Sequence, residues 1–211
     1  VHPRDEVKDA VDMAKALRRL GFDVDLLTDV SKRKMGTAIS RFGKTLKKGG
    51  VGLFFYAGHG MQVDGTNYLI PIGADPSGEE DLEYDAIDAG RVLSKMDAAG
   101  NELNIVMMDA CRNNPFARSW RSGSRGLARI DAPTGSIVVY ATAPGSIAAD
   151  GEGRNGIFTK NLLRAIQQPN VPLLQAIRMT RIGVMGDTNN EQVPWVSEAT
   201  TKEFFFAGQT R

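Results

Sequence analysis

The stretch VGLFFYAGHG, residues 51–60, decides how the rest of the chain is read. Its first seven residues are short, apolar and aromatic, the composition of a strand buried on both faces inside a parallel sheet. The run then gives way to Gly58, His59 and Gly60, which hold one of only two histidines in the chain. Open α/β sheets gather their functional groups where the carboxyl ends of strands meet loops. A strand that stops at a histidine between glycines therefore predicts a site.

Upstream, Val7, Ala10, Val11, Ala14, Leu17 and Leu20 recur at three- and four-residue spacing and predict an amphipathic helix closed by Gly21. FDVDLLTDV (22–30) alternates Phe22, Val24 and Leu26 and predicts a strand. Ser31 is placed to cap a second helix whose Met35, Ile39, Phe42 and Leu46 share a face. Downstream, NYLIPIGAD (67–75) reads as a short strand and a Pro/Gly loop, and acidic GEEDLEYD (78–85) precedes a helix carrying Ala86, Ala89, Val92, Leu93 and Met96. LNIVMMDAC (103–111) is the next buried strand and SIVVYATA (136–143) another. Between them, residues 112–135 have little apolar period and many Arg, Ser and Gly, which predicts a long exposed loop. Helical patterns at about 156–168 and 171–183 are followed by a polar stretch and a closing strand, EFFFAG (203–208). Strands alternating with helices in this way predict one α/β domain with a mainly parallel central sheet and helices on both faces.

Bulk composition narrows the function. A chain of 211 residues can bury a large single core. Its 26 Lys and Arg balance 25 Asp and Glu, leaving +1, so no global field draws it to nucleic acid or to an anionic membrane. No apolar run approaches the roughly 20 residues that span a bilayer. The single cysteine cannot form an internal disulfide, which makes the cytoplasm the default compartment, although a targeting signal upstream of residue 1 would escape this reading.

That cysteine, Cys111, closes a strand just as His59 does. A thiol at neutral pH becomes a useful nucleophile beside a base, and an amine leaving group needs a proton donor titrating near pH 7. A Cys–His pair supplies both. The glycines acquire a purpose too: Gly60 N–H with Cys111 N–H can form an oxyanion hole, and Gly58 would permit a sharp turn carrying the imidazole clear of the sheet. Taken alone, a turn histidine and an inert buried thiol are the plain alternatives.

YAGHG (56–60) and DACRNNPF (109–116) resemble the His and Cys boxes of caspase-like proteases of clan CD, peptidase family C14, which lie about 50 residues apart. That family includes bacterial caspase homologues, paracaspases and metacaspases. DAVDMAKALRRLGF (9–22), NYLIPIGAD, YATAPGSIAADG (140–151) and GIFTKNLL (156–163) extend the likeness over nearly the whole chain. The resemblance implies a three-layer caspase-like fold, with a large-subunit-like part to about residue 118 and a small-subunit-like part over 136–211. It implies a cysteine endopeptidase in which Cys111 attacks and His59 handles the proton. It also implies protein or peptide substrates, and an intersubunit segment in the 112–135 loop whose Arg112, Arg118, Arg121, Arg125 and Arg129 are candidates for self-processing.

DACRN departs from the animal caspase box by placing a carboxylate, Asp109, two residues before the cysteine. In Arg- and Lys-cleaving relatives, an acid there and another in the first helix, here Asp9, line the primary pocket. Asp150 in SIAADG is a third candidate. The resemblance therefore points to a basic P1 residue. Family members also begin with a strand before the first helix, so upstream residues that fill that place are expected. A caspase-fold interaction module with little turnover is the rival reading. No cofactor or metal is expected: some relatives need calcium, but GEEDLEYD lacks the spaced Asp/Asn and Gly of a calcium loop. Monomer and homodimer both stay open.

Overall fold

The computed structural model describes residues 3–46, 50–111, 127–143 and 154–208. In chain order the elements are α1 (Pro3–Arg19), α2 (Lys32–Leu46), β1 (Val51–Val63), β2 (Thr66–Leu69), a 3-10 turn (Glu79–Asp81), α3 (Leu82–Asp85), β3 (Ile87–Asp88), α4 (Ala89–Asp97), β4 (Leu103–Cys111), β5 (Ser136–Tyr140), α5 (Ile157–Ile166), α6 (Leu173–Asp187) and β6 (Trp195–Glu198). The strands form one six-stranded sheet in the order β3-β2-β1-β4-β5-β6. Its centre, β1-β4-β5, is parallel, and β2, β3 and β6 are antiparallel to their neighbours.

The pleat sorts the central strands between two cores. Ile105 and Met107 of β4 and Ile137 and Val139 of β5 join Met13, Leu17, Phe158, Leu162, Ile177 and Val184 from α1, α5 and α6. Their neighbours Val106, Met108, Val138 and Tyr140 pack on the other side with Ile39, Val92, Leu93 and Met96 from α2 and α4. Each fully buried aliphatic side chain contributes roughly 1.5–3 kcal/mol. Near-continuous apolar runs are what a sheet covered on both faces requires, and helix–sheet–helix is the result.

Helix α1 ends as its sequence predicts. Gly21 adopts φ +89, its N–H bonds Arg18 O, and Phe22 N–H reaches back to Leu17 O, the paired bonds of a Schellman stop. The next segment departs from expectation, because Phe22–Val30 forms no strand. The alternation is real. Phe22 and Val24 lean on the α1/α5/α6 core, and the Phe22 ring meets that of Phe204 edge-on at 6.2 Å. Among the described residues no neighbouring strand supplies a ladder, and pattern alone does not pair a backbone. Leu26 and Leu27 stay exposed.

The register shows where a partner is lacking. β1 matches β4 over Val51–His59, while its opposite edge matches β2 only over Gly60–Val63. Among the described residues no strand covers that edge from Val51 to Gly58, and Phe54, Phe55 and Tyr56 keep part of their surface exposed.

Two further expectations change. The closing strand lies in the polar stretch, at Trp195–Glu198, while EFFFAG contributes only isolated bridges at Phe205 and Ala207. The expected exposed loop is anchored at its end: Leu127 is buried, and Asn67 trades two hydrogen bonds with Ala128, at 2.7 and 2.6 Å. The four arginines Arg112, Arg118, Arg121 and Arg125 lie outside the described residues, and Arg129 is exposed beside Asp131.

Candidate active site

β1 does not stop at Gly58. It runs through His59 and Gly60 to Val63, so the imidazole is carried by a strand and not lifted off it by a turn. Gly58 is needed for room. A Cβ there would stand 2.6 Å from Tyr56 Oη and 2.7 Å from its Cζ, because the tyrosine ring folds over the glycine. Tyr56 Oη then donates to His59 O at 2.7 Å, and Ile70 N–H reaches the same oxygen at 3.0 Å. The backbone carrying the ring is thus fixed from two directions.

The parallel register pairs His59 with Cys111, the last residue of β4. On β1, Leu53 and Phe55 contact the α1/α5/α6 core, and on β4 Ile105 and Met107 do. His59 and the positions 109 and 111 have the same parity, so they fall on that same face. Gly60 pairs with Leu69 of β2, and the Ile70 N–H to His59 O bond makes this a pair that exchanges no hydrogen bonds. The Gly60 N–H consequently points to the β4 side, onto the last rung of the β1–β4 seam, where Cys111 N–H also lies.

The two predicted pocket acids come together at the N-terminus of α5. Asp9 from α1 accepts from Gly156 N–H at 3.1 and 3.3 Å, and Asp109 from β4 accepts from Thr159 Oγ1 at 2.6 Å. A Cβ on Gly156 would lie 3.1 Å from Asp9 Oδ2 and 3.5 Å from Asp109 Oδ2, so both carboxylates converge on this glycine. The positive end of a helix suits them. Both are nonetheless buried, at 4% and 8% exposure. Desolvation pushes Asp109 up to about 6 against the opposing hydrogen bonds from Thr159. One turn further along α1, Asp12 holds Arg154 through two bonds of 2.6 and 2.9 Å and also accepts from Asn155, and the Arg154 bonds lead in keeping its carboxyl below the usual range. Asp150 lies outside the described residues.

Three residues beside this site were not singled out by the sequence. Glu6 Oε1 lies 2.9 Å from His59 Nδ1 and raises the proton affinity of the ring, an effect opposed by the ring's partial burial. Gly156 and Thr159 were legible only as the start of a helix, because a glycine before a helix and a threonine in its first turn are commonplace. Among the described residues no cluster of three or more His, Cys, Asp or Glu could hold a metal ion, and no helix is long and apolar enough to cross a membrane.

The sequence model of the caspase domain matches residues 3–205. The chain belongs to the caspase-domain family. Two curated relatives match it, the mucosa-associated lymphoid tissue lymphoma translocation protein 1 of Homo sapiens and its Mus musculus homologue. Each is 28% identical over 158 residues, or 73% of this chain. The chain spans only 18% of the length of those relatives. Among solved structures, a crystal structure of caspase-1 from Spodoptera frugiperda superposes with a TM-score of 0.69 over 98% of this chain and 83% of that one, at 15% identity. At that identity the likeness is one of fold. This caspase domain thus has the predicted three-layer architecture, in a family of cysteine peptidases.

Proposed function

We propose that this caspase domain is a cysteine endopeptidase that cleaves after Arg, and less readily after Lys. Cys111 attacks the scissile carbonyl. His59 takes the thiol proton and returns one to the leaving amine. Gly60 N–H and Cys111 N–H, which share the last rung of the β1–β4 seam, turn from the ladder to the developing oxyanion. Asp9 and Asp109 receive the P1 guanidinium, whose positive charge restores the ionised form of Asp109. The observation that carries this reading is the pairing of His59 with Cys111 at the end of adjacent parallel strands, on the face where both acids converge. A panel of fluorogenic peptides differing only at P1 tests it. The expected order is Arg, then Lys, with Asp and Ala near background; preference for Asp would refute the pocket assignment.

One observation favours a second reading, a caspase-fold interaction module with little turnover. Asp9 and Asp109 are already satisfied inside the chain by Gly156 and Thr159. Absence of cleavage across the whole panel by folded protein supports that alternative.

A further inference from the structure

Helix α1 brings a third carboxylate to the site. Glu6 lies in the first turns of α1, with Oε1 2.9 Å from His59 Nδ1 and side-chain exposures of 17% for the glutamate and 30% for the histidine. Glu6 Oε1 is itself fully covered and makes no aligned hydrogen bond with any described group. A carboxylate oxygen withdrawn from water at such a cost is retained where a partner compensates it, and the imidazole is the partner at hand.

The two nitrogens of an imidazole divide the work, since the partner of one fixes the tautomer and aim of the other. We infer that Glu6 is a positioning residue for His59, gripping Nδ1 from α1 so that Nε2 is presented to the Cys111 end of β4. The inference rests on the reading of His59 as the proton carrier of a Cys–His peptidase. Among the described residues no other group near the ring offers the same grip. On β4, Asp109 bonds Thr159 and only senses the charge of Glu6, and Cys111 is the register partner. From the β2 side His59 receives the Ile70 N–H at its backbone oxygen, and Tyr68 answers to Asp88, Glu83 and Asp64. The Glu6 contact also favours the imidazolium, the form that protonates a leaving amine.

The test uses the full chain carrying His2→Gln, which leaves one imidazole resonance, with Glu6→Gln, Glu6→Ala and Glu6→Asp added in turn. The ring proton of His59 is followed against pH by NMR. The midpoint is expected to fall in Glu6→Gln and Glu6→Ala and to fall less in Glu6→Asp. On an Arg peptide, kcat should drop roughly tenfold in Glu6→Ala with KM within about twofold, and Glu6→Gln, whose amide oxygen can take the same place opposite Nδ1, should recover part of it. The alkaline limb of kcat/KM should move to lower pH in both. An unchanged NMR midpoint in folded Glu6→Gln overturns the inference, even if stability falls, since that would make Glu6 merely structural. Should Glu6→Ala fail to fold, the isosteric Gln variant decides. A wild type that cleaves no peptide overturns the peptidase reading, while the titration still decides whether Glu6 grips the ring.

Discussion

The two faces of the sheet run alike for most of its length and diverge only at the carboxyl ends of β1 and β4. Toward α2 and α4, β4 presents Val106, Met108 and then Ala110, with Leu127 close by Gly60, so that hydrocarbon continues to the last rung. Toward α1 and α5 it presents Ile105, Met107 and then Asp109, beside Asp9 and Thr159. One step of the pleat separates a dry ending from an acidic one. The difference lies in what covers each face: α5 offers Gly156 N–H and Thr159 Oγ1 to the carboxylates, whereas the Ala110 side is packed with Leu127. Charge is held where helix ends can answer it.

Moving the carboxylate one residue along should break this contrast outright. Ala110→Asp places an acid on the dry face with no matching donors among the described residues, and we expect a loss of about 3–5 kcal/mol, or failure to fold, measured by urea unfolding. A midpoint near that of wild type would mean that the Ala110 face is wetter than its packing indicates.

Asp109→Asn sharpens the comparison with a smaller effect. Burial holds the Asp109 carboxyl up to about 6, so between the ordinary carboxylate range and that value the folded chain keeps a proton that the unfolded chain has released. Stability is therefore present at about pH 4 and is lost as pH rises through about 6. Asn stays neutral throughout and keeps an oxygen for Thr159. The variant should match wild type near pH 4 and exceed it by about 2–3 kcal/mol at pH 7.5, while losing the preference for Arg substrates proposed above. An Asn variant equally destabilised at both pH values would contradict the assignment.

Much of this arrangement is legible in the sequence, for physical reasons. Apolar runs at 51–57, 103–108 and 136–140 fit strands covered on both faces, and Gly21 reads as a helix stop, where the structure gives it a positive φ. Asp109 sits two residues before Cys111, which puts the two positions on one face whatever else happens. The parts that pattern misleads on depend on distant partners. Phe22–Leu26 alternates like a strand but pairs with none among the described residues, while Trp195–Glu198 looks polar yet pairs with β5. Gly58 makes room for the Tyr56 ring where a turn is expected, and a ring folded over a glycine leaves no trace in local pattern. Glu6 is invisible for the same reason, since an acid in the first turn of a helix ordinarily serves only the helix dipole.

The most direct test of the central claim is adduct mapping with a peptidyl-arginine electrophile on the folded chain. One covalent adduct at Cys111 is expected by peptide mass mapping, suppressed at least tenfold by His59→Ala and by Asp109→Asn. Reaction with the aspartyl analogue is expected to be negligible. Equal labelling by both analogues, or labelling of Cys111 that persists unchanged in His59→Ala, would contradict it.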